Sequence, residues 1–395
     1  MTSTPIAIVG AKRTPIGAFQ GALAAATAMD LSAAATRSAL AQPGMRGEEV
    51  DEVLLGCVLP AGLGQAPARQ AALAGGISQG APCTTVNKMC GSGMKTVMLG
   101  CGLIRSGSAK TVLVGGMESM TRAPYLLPDA RNGMRMGHRE TLDHMFYDGL
   151  QSPFDGQMMG HFAEQTAKKY GFSREEQDAF AIASAERAKD AAANGRFDAE
   201  LAPVTITTRK GDVEVTADET PNKVNVERIP TLRPAFAKDG TVTAASSSSI
   251  ADGAASLIVM DPEVAAAGGY ETLATIIDYS SFAQEPEWFT TSPVFAVQSL
   301  LKKLTLSASD IDLFEINEAF ACVTMAAMRD VGIEHEKVNV NGGACALGHP
   351  IGASGGRILV TLINALRMRG GGRGIASLCI GGGEAVAVAI DVPAG

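Results

Sequence analysis

Short apolar runs alternate with amphipathic ones through the first 118 residues. "IAIVG" at Ile6–Gly10 and "EVLLGCVL" at Glu52–Leu59 are nearly unbroken apolar stretches of strand length, the pattern of strands buried on both faces. "GMKTVMLGCGLIRSG" spaces its apolar residues as a helix does, and "KTVLVGG" at Lys110–Gly116 is again strand-like. Strands alternating with helices predict an α/β layered fold. The same grammar returns from about Thr272 to the end. Residues 121–249 break it. They are rich in Met, Pro, Asp and Arg, with one clear helix, in "SREEQDAFAIASAERAKDAAA", where Ser173 and Glu176 form a capping-box signature. This block reads as an insertion, either a lid or ligand-facing layer or a surface elaboration.

The two α/β portions echo each other. "SGMKTVMLGCGLIRSG…TVLVGGME" from Ser92 to Glu118 parallels "SGGRILVTLINALRMRGGG…SLCIGGGE" from Ser354 to Glu384. Each is a Ser-Gly helix start, a basic turn, a strand and a Gly-Gly bend ending in Glu, with Cys379 opposite Leu113. The period is too long for a solenoid and indicates a duplicated α/β unit.

Composition narrows the class. At 395 residues the chain exceeds what one core usually spans, so two or three domains are expected. A net charge of -8 gives no reason to expect nucleic acid or an acidic membrane surface as partner. No apolar run reaches the roughly 18 residues of a spanning helix, and "MTSTPIAIVGAKRTPIG" lacks the pattern of a signal peptide. The seven cysteines have no regular spacing and form no CxxC pair. That argues for free thiols in a reducing compartment, expected here to be the cytoplasm, and against a metal site.

Four segments carry candidate chemistry. In "VNKMCGSGMKTVMLG", Cys90 stands between a strand-like approach and a helix. A helix N-terminus offers spare N–H groups and about 0.3–2 kcal/mol to an anion, which favours a thiolate. Gly91 and Gly93 are expected to clear a path for a substrate and to offer N–H groups to an oxyanion. A small cysteine packed at a strand–helix junction satisfies the same pattern. "NVNGGACALGHPIGASGGR" places His349 in a glycine-rich turn before a helix, as a base for a thiol, although a phosphate-cradling loop is also consistent. Of the other histidines, His138, His144 and His161 fall in the mobile-looking middle block, and His335 in a charged loop. "SLCIGGGE" ends a strand with a second thiol, Cys379, ahead of Gly381, Gly382 and Gly383. "LFEINEAFA" sets Asn317 and Glu318 at a strand-to-helix turn, where they could simply cap the helix. One thiol, a His and an Asn suffice for a hydrolase. A second thiol suggests instead a nucleophile that takes an acyl group and a separate acid/base for a carbon- or sulfur-bound proton.

With "AKRTPIGAF", "VNKMCGSGMK", "GGMESM", "RPAF…GTVTA", "NEAF", "GGACALGHPIGASG" and "LCIGGG", the chain resembles the thiolase family nearly end to end, and within it most closely the acetyl-CoA acetyltransferases. The resemblance implies a five-layer αβαβα sandwich of two duplicated halves with an inserted loop domain. The N-terminal half would comprise residues 1–120 plus 250–269, the CoA-binding loop domain 121–249, and the C-terminal half 270–395. It implies that Cys90 carries the acyl group, that His349 activates it, and that Cys379 handles the α-proton of the second acetyl-CoA. Asn317, through a water, would complete one oxyanion hole with His349, and the N–H groups of Cys90 and Gly381 the other. Ser248, Phe236, Met158, Met159, Phe320 and Lys223 are the implied coenzyme A contacts. Met158 stands where many short-chain members have a histidine, and "TAASSSSIADGAA" departs from the usual glycine-containing stretch. Trp288 and Phe289 fall in a segment that lines the acyl pocket; Trp288 fits either that pocket or a domain interface.

The implied activity is ping-pong condensation of two acetyl-CoA to acetoacetyl-CoA plus CoA, and the reverse thiolysis. No prosthetic group is needed, and a homotetramer built as a dimer of dimers is expected. The alternatives are a 3-ketoacyl-CoA thiolase of broader or longer chain length in fatty-acid degradation, a related condensing enzyme, and a non-catalytic lipid- or CoA-binding protein on the same fold. Condensing enzymes generally lack a second thiol in a CIGGG setting, which speaks against that reading.

Overall fold

The computed structural model describes residues 4–394. The first α/β portion runs β1 (Ile6–Arg13), β2 (Gly17–Ala18), α1 (Ala28–Ala41), β3 (Glu52–Gly56), α2 (Pro67–Ala74), β4 (Cys83–Val86), α3 (Ser92–Arg105) and β5 (Thr111–Ser119). The middle block contributes β6 (Tyr125–Leu126), β7 (Leu142–Asp143), a helical turn at Met145–Leu150, α4 (Met159–Tyr170), α5 (Arg174–Ala193), β8 (Val204–Thr208) and β9 (Gly211–Val215). The chain then returns through β10 (Ala251–Met260) and α6 (Pro262–Gly268). The second portion is β11 (Ala274–Ala283), α7 (Ser292–Leu304), β12 (Leu313–Ile316), α8 (Ala321–Val331), α9 (Ala344–Leu347), α10 (Ser354–Met368), β13 (Gly372–Ile380) and β14 (Glu384–Val392).

The strands lie in the order β4-β3-β5-β10-β1 and then β11-β14-β13-β12. In the first half-sheet β3 is parallel to β4 and β5, while β5/β10 and β10/β1 are antiparallel. The second repeats it: β12 is parallel to β13, and β13/β14 and β14/β11 are antiparallel. A parallel bridge between Phe314 and Val338 stands where β4 flanks β3. The two halves meet along β1 and β11, with Ile6 opposite Ile276 and Ile8 opposite Ala274.

Burial explains the unbroken apolar runs. In β10, Leu257 and Val259 enter one core while Ile258 and Met260 enter another. In β14, Val386, Val388 and Ile390 face inward, and Ala385, Ala387 and Ala389 face the opposite way. Side chains alternate across a strand, so a sheet covered on both faces needs apolar residues at every position. The central core joins both half-sheets to α3 and α10 through Met94, Val97, Leu359 and Leu362. One outer core packs α1 and α2 on the first half-sheet through Leu31, Ala35 and Ala71. The other packs α7 and α8 on the second through Val297, Leu300 and Val323. Helices, sheet, helices, sheet and helices make five layers.

The middle block holds more structure than its composition suggests. Ser173 caps α5 as its sequence predicts: Ser173 Oγ accepts from the Glu176 N–H at 3.1 Å, and Glu176 Oε2 accepts from the Ser173 N–H at 2.7 Å. The helix α4, absent from the sequence reading, begins at Met158 with no side-chain cap and stops at Gly171, whose φ of 66° is left-handed. The strand expected over Glu52–Leu59 ends at Gly56. Beyond it the N–H groups of Val58 and Leu59 leave the sheet to bond the Glu118 carboxylate.

Candidate active site

The turn from β4 into α3 is held tightly. Met89 sits at φ 47°, a left-handed conformation that costs a β-carbon residue about 1–3 kcal/mol. Asn87 Oδ1 accepts its N–H at 3.0 Å, and Ser92 Oγ donates to its carbonyl at 2.6 Å while accepting the Lys88 N–H at 2.8 Å. Cys90 is thereby presented just ahead of the first turn of α3.

His349 follows Gly348, whose φ is 109°, and its N–H donates to the Ser249 carbonyl at 3.0 Å. The ring is 6 % exposed. Its Nδ1 lies 2.5 Å from Ser354 Oγ, which in turn donates to the Pro350 carbonyl at 2.9 Å. A hydroxyl has one proton. Ser354 spends it on Pro350, so it accepts from Nδ1–H, and Nε2 is left with its lone pair. Asn317 Nδ2 approaches that lone pair at 3.5 Å, and Asn317 Oδ1 accepts from Arg357 Nη2 at 3.4 Å. Arg357 itself is buried against Glu315, 3.5 Å away. Burial, helped by the Arg357 charge, drives the His349 pKa down to about 3. The ring is a neutral base whose unprotonated Nε2 faces Asn317 Nδ2.

The small residues after Cys90 have a different purpose from the one expected. A β-carbon on Gly91 would lie 2.4 Å from Ile380 Cδ1, and one on Gly93 would lie 2.8 Å from the Gly356 nitrogen and 3.0 Å from the Gly352 oxygen. One on Gly355 would lie 2.3 Å from the Met94 nitrogen. These glycines open no path for a substrate. They let the N-termini of α3 and α10 touch backbone to backbone, which brings the Cys90 turn against the His349 loop.

Cys379, at the end of β13, is fully buried. It shares with Cys90, His349 and Gly381 the wall of one cavity of about 240 Å3. Burial lifts the Cys90 thiol to about 11, against the pull of the Gly381 N–H and its own N–H; the Glu118 charge adds to the rise. Cys379 is raised well above the usual thiol range by burial and by the neighbouring Cys90. Two protonated thiols and a neutral imidazole leave the resting cavity uncharged, and passing a proton from thiol to imidazole creates a thiolate–imidazolium pair.

Ser248, Phe236, Met158, Met159 and Phe320 line the same cavity, with Phe289. Phe236 meets Phe320 edge to face with centroids 5.9 Å apart. Ser248 directs both its N–H and its hydroxyl to the Ala319 carbonyl. Asn317 stands behind His349 rather than in the wall. Lys223 is elsewhere, mostly exposed and paired with Glu219 at 2.6 Å. Trp288 does not face the cavity; Lys169 of α4 lies 3.9 Å from its ring centroid, which makes it an interface residue. His144, expected in a mobile segment, is 4 % exposed and held between Asp148 and the Ala61 N–H. Sequence reasoning missed Ser354, Arg357 and Glu118, whose partners are far off in the chain. It also read Glu318 as a helix cap. Glu318 instead accepts from Ser184 on α5, from Asn339 and from the Cys345 N–H, tying the insertion to the segment that leads to His349.

A second chamber of about 480 Å3 adjoins the first, sharing Gly149, Met159 and Gly381 with it and bounded further out by Tyr147, Phe154 and Phe162. Among the described residues no cluster of His, Cys, Asp and Glu is placed to hold a metal ion, and no helix is long and apolar enough to cross a membrane.

Comparison with known proteins agrees across the chain. Residues 6–263 match the family model for the thiolase N-terminal domain, and residues 270–392 the thiolase C-terminal domain. An acetyl-CoA acetyltransferase of Pseudomonas aeruginosa is 48 % identical over 387 residues, 98 % of each chain. A protein of Staphylococcus aureus named a probable acetyl-CoA acyltransferase is 47 % identical over 390 residues, 98 % of this chain and 99 % of the other. The crystal structure of a Bacillus anthracis acetyl-CoA acetyltransferase superposes with a TM-score of 0.96 at 39 % identity, covering 99 % of both chains. That of a thiolase from Ascaris suum in complex with coenzyme A superposes with a TM-score of 0.93 at 39 % identity, covering 98 % of this chain and 100 % of the other.

Proposed function

The chain belongs to the thiolase family and is an acyltransferase, and from that premise we propose that it is an acetyl-CoA C-acetyltransferase, joining two acetyl-CoA into acetoacetyl-CoA and cleaving it in reverse. The observation that carries the proposal is the shared cavity: two thiols and a neutral, buried imidazole wall one small apolar space. His349 Nε2 takes the Cys90 proton, and the thiolate attacks the thioester carbon. The protonated Nε2 has now become a donor. With a water held by Asn317 it can hold the oxyanion, so this hole exists only once the nucleophile has been made. The Gly381 and Cys90 N–H groups supply the second hole, and each such donor is worth about 2.7–4 kcal/mol in the transition state. The coenzyme A thiolate leaves with a proton from Cys379. Cys379, now a thiolate, removes the α-proton of the second acetyl-CoA; the carbanion attacks the acyl group on Cys90 and expels that sulfur.

The inserted segment, residues 121–249, supplies the coenzyme A-facing wall in this proposal, with Met158, Met159, Phe236 and neighbouring Ser248 as contacts. A homotetramer working in the cytoplasm belongs to the same proposal and rests on family resemblance. Tyr125, Leu127 and Met136 project from the insertion into solvent, the kind of apolar surface an assembly covers. A second reading, thiolysis of longer 3-ketoacyl-CoAs, is favoured by the adjoining chamber, which offers room beyond Met159. The test is incubation with acetyl-CoA followed by peptide mass analysis, then turnover on acetoacetyl-CoA and on a long-chain 3-ketoacyl-CoA. One acetyl group on Cys90 is expected, with faster turnover of the short substrate. No label on Cys90 overturns the mechanism, and faster turnover of the long substrate selects the second reading.

A further inference from the structure

Glu118, near the end of β5, is 1 % exposed and has no cationic partner among the described residues. Three backbone donors hold it instead. Oε2 accepts from Val58 at 3.0 Å and from Gly352 at 2.9 Å, and Oε1 accepts from Leu59 at 3.2 Å; the Cys57 thiol also points to Oε1 at 3.7 Å. These donors lie on two segments that matter. The Val58 carbonyl accepts from Asn87 Nδ2 at 3.4 Å, and Asn87 Oδ1 holds the strained Met89 beside Cys90. Gly352 lies between His349 and Ser354. A β-carbon there would come within 2.6 Å of Glu118 Oε2, so the loop and the carboxylate touch directly.

We propose that Glu118 is a positioning residue for acyl transfer: it clamps the Cys90 turn and the His349 loop to the end of β5. This rests on the role proposed for Cys90. Burial raises Glu118 to about 7, and the three N–H donors hold it back from rising further. Across the alkaline range where Cys90 titrates, Glu118 is therefore ionised, and its charge is one of the causes of the raised Cys90 pKa. The other titratable groups at Cys90 are His349 and Cys379 in the cavity and the Lys88–Glu384 pair at the edge of the turn. Cys57 is the remaining titratable neighbour of Glu118.

The test is the steady-state kinetics of two carboxylate variants, with the pH dependence of Cys90 alkylation by iodoacetamide as a second readout. Glu118→Gln removes the charge and turns an amide NH2 toward N–H donors, whereas Glu118→Asp keeps the charge on a shorter arm. The Gln variant should lower the alkylation midpoint by about half a pH unit or more. It should also lower kcat by about tenfold or more, with the KM for acetyl-CoA within about twofold. The Asp variant should restore the midpoint and stay slow. A folded Gln or Asp variant with the wild-type kcat overturns the proposal. Should the Gln variant not fold, the Asp variant serves alone, its kcat lowered about tenfold or more with KM within about twofold. Alkylation does not require acetyl transfer, so a Cys90 that alkylates but is never acetylated by acetyl-CoA refutes the acyl-transfer reading separately.

Discussion

Ser354→Ala tests the proton arrangement at its narrowest point. In the wild type the Ser354 hydroxyl accepts from His349 Nδ1 at 2.5 Å and donates to the Pro350 carbonyl at 2.9 Å. Alanine deletes both bonds, but their losses are unequal. The Pro350 carbonyl keeps the Ser354 backbone N–H, at 3.0 Å, so it is not orphaned. His349 Nδ1–H has no second acceptor among the described residues, and the residue is buried. Leaving such a donor unpaired costs about 1–3 kcal/mol. The imidazole can relieve the cost by moving its proton to Nε2, which disarms it as a base toward Cys90. If the cost falls on the productive tautomer, acetylation of Cys90 slows by about 5–150-fold, at 1.4 kcal/mol per decade. The assay is single-turnover acetylation with excess acetyl-CoA, quenched and read by peptide mass, alongside thermal melting. Acetylation within about twofold of the wild-type rate in a folded variant refutes the argument, because Nε2 would then be free without Ser354.

Two further substitutions separate the remaining claims. Cys379→Ala should still acquire an acetyl group on Cys90 but lose about 10²–10⁴-fold in exchange of acetyl-CoA methyl protons with deuterated solvent, and wild-type exchange would remove Cys379 from its role. Gly93→Ala places a β-carbon 2.8 Å from the Gly356 nitrogen, so it should cost about 1–3 kcal/mol of stability and slow acetylation by prising α3 from α10. Unchanged melting and rate would show slack between those helices that the contact distances do not allow.

Much of the architecture is legible in the chain because it is local. The unbroken apolar runs "IAIVG" and "VLVGG" mark strands buried on both faces, and those are β1 and β5. The Ser173–Glu176 cap requires only four consecutive residues, so it forms as read. The echo between Ser92–Glu118 and Ser354–Glu384 reappears as two half-sheets with one strand order. The readings that failed concern residues whose neighbours are distant. Gly93 looks open to a substrate until Gly352 and Gly356, about 260 positions on, are seen to fill that space. The choice left open for Trp288, acyl pocket or interface, is decided by Lys169 over its ring.

What the sequence by itself determined is the inventory and its local setting: two thiols at strand ends, an imidazole in a glycine-rich turn, a duplicated α/β unit and an insertion. Tertiary structure alone decided that α3 and α10 meet through their glycines, that Ser354 leaves His349 with an unprotonated Nε2, and that Glu118 joins the two loops. Periodicity records which face of an element is buried, because neighbours along the chain share that constraint. Which atom answers which across a core depends on how separate layers stack, and no local pattern contains it.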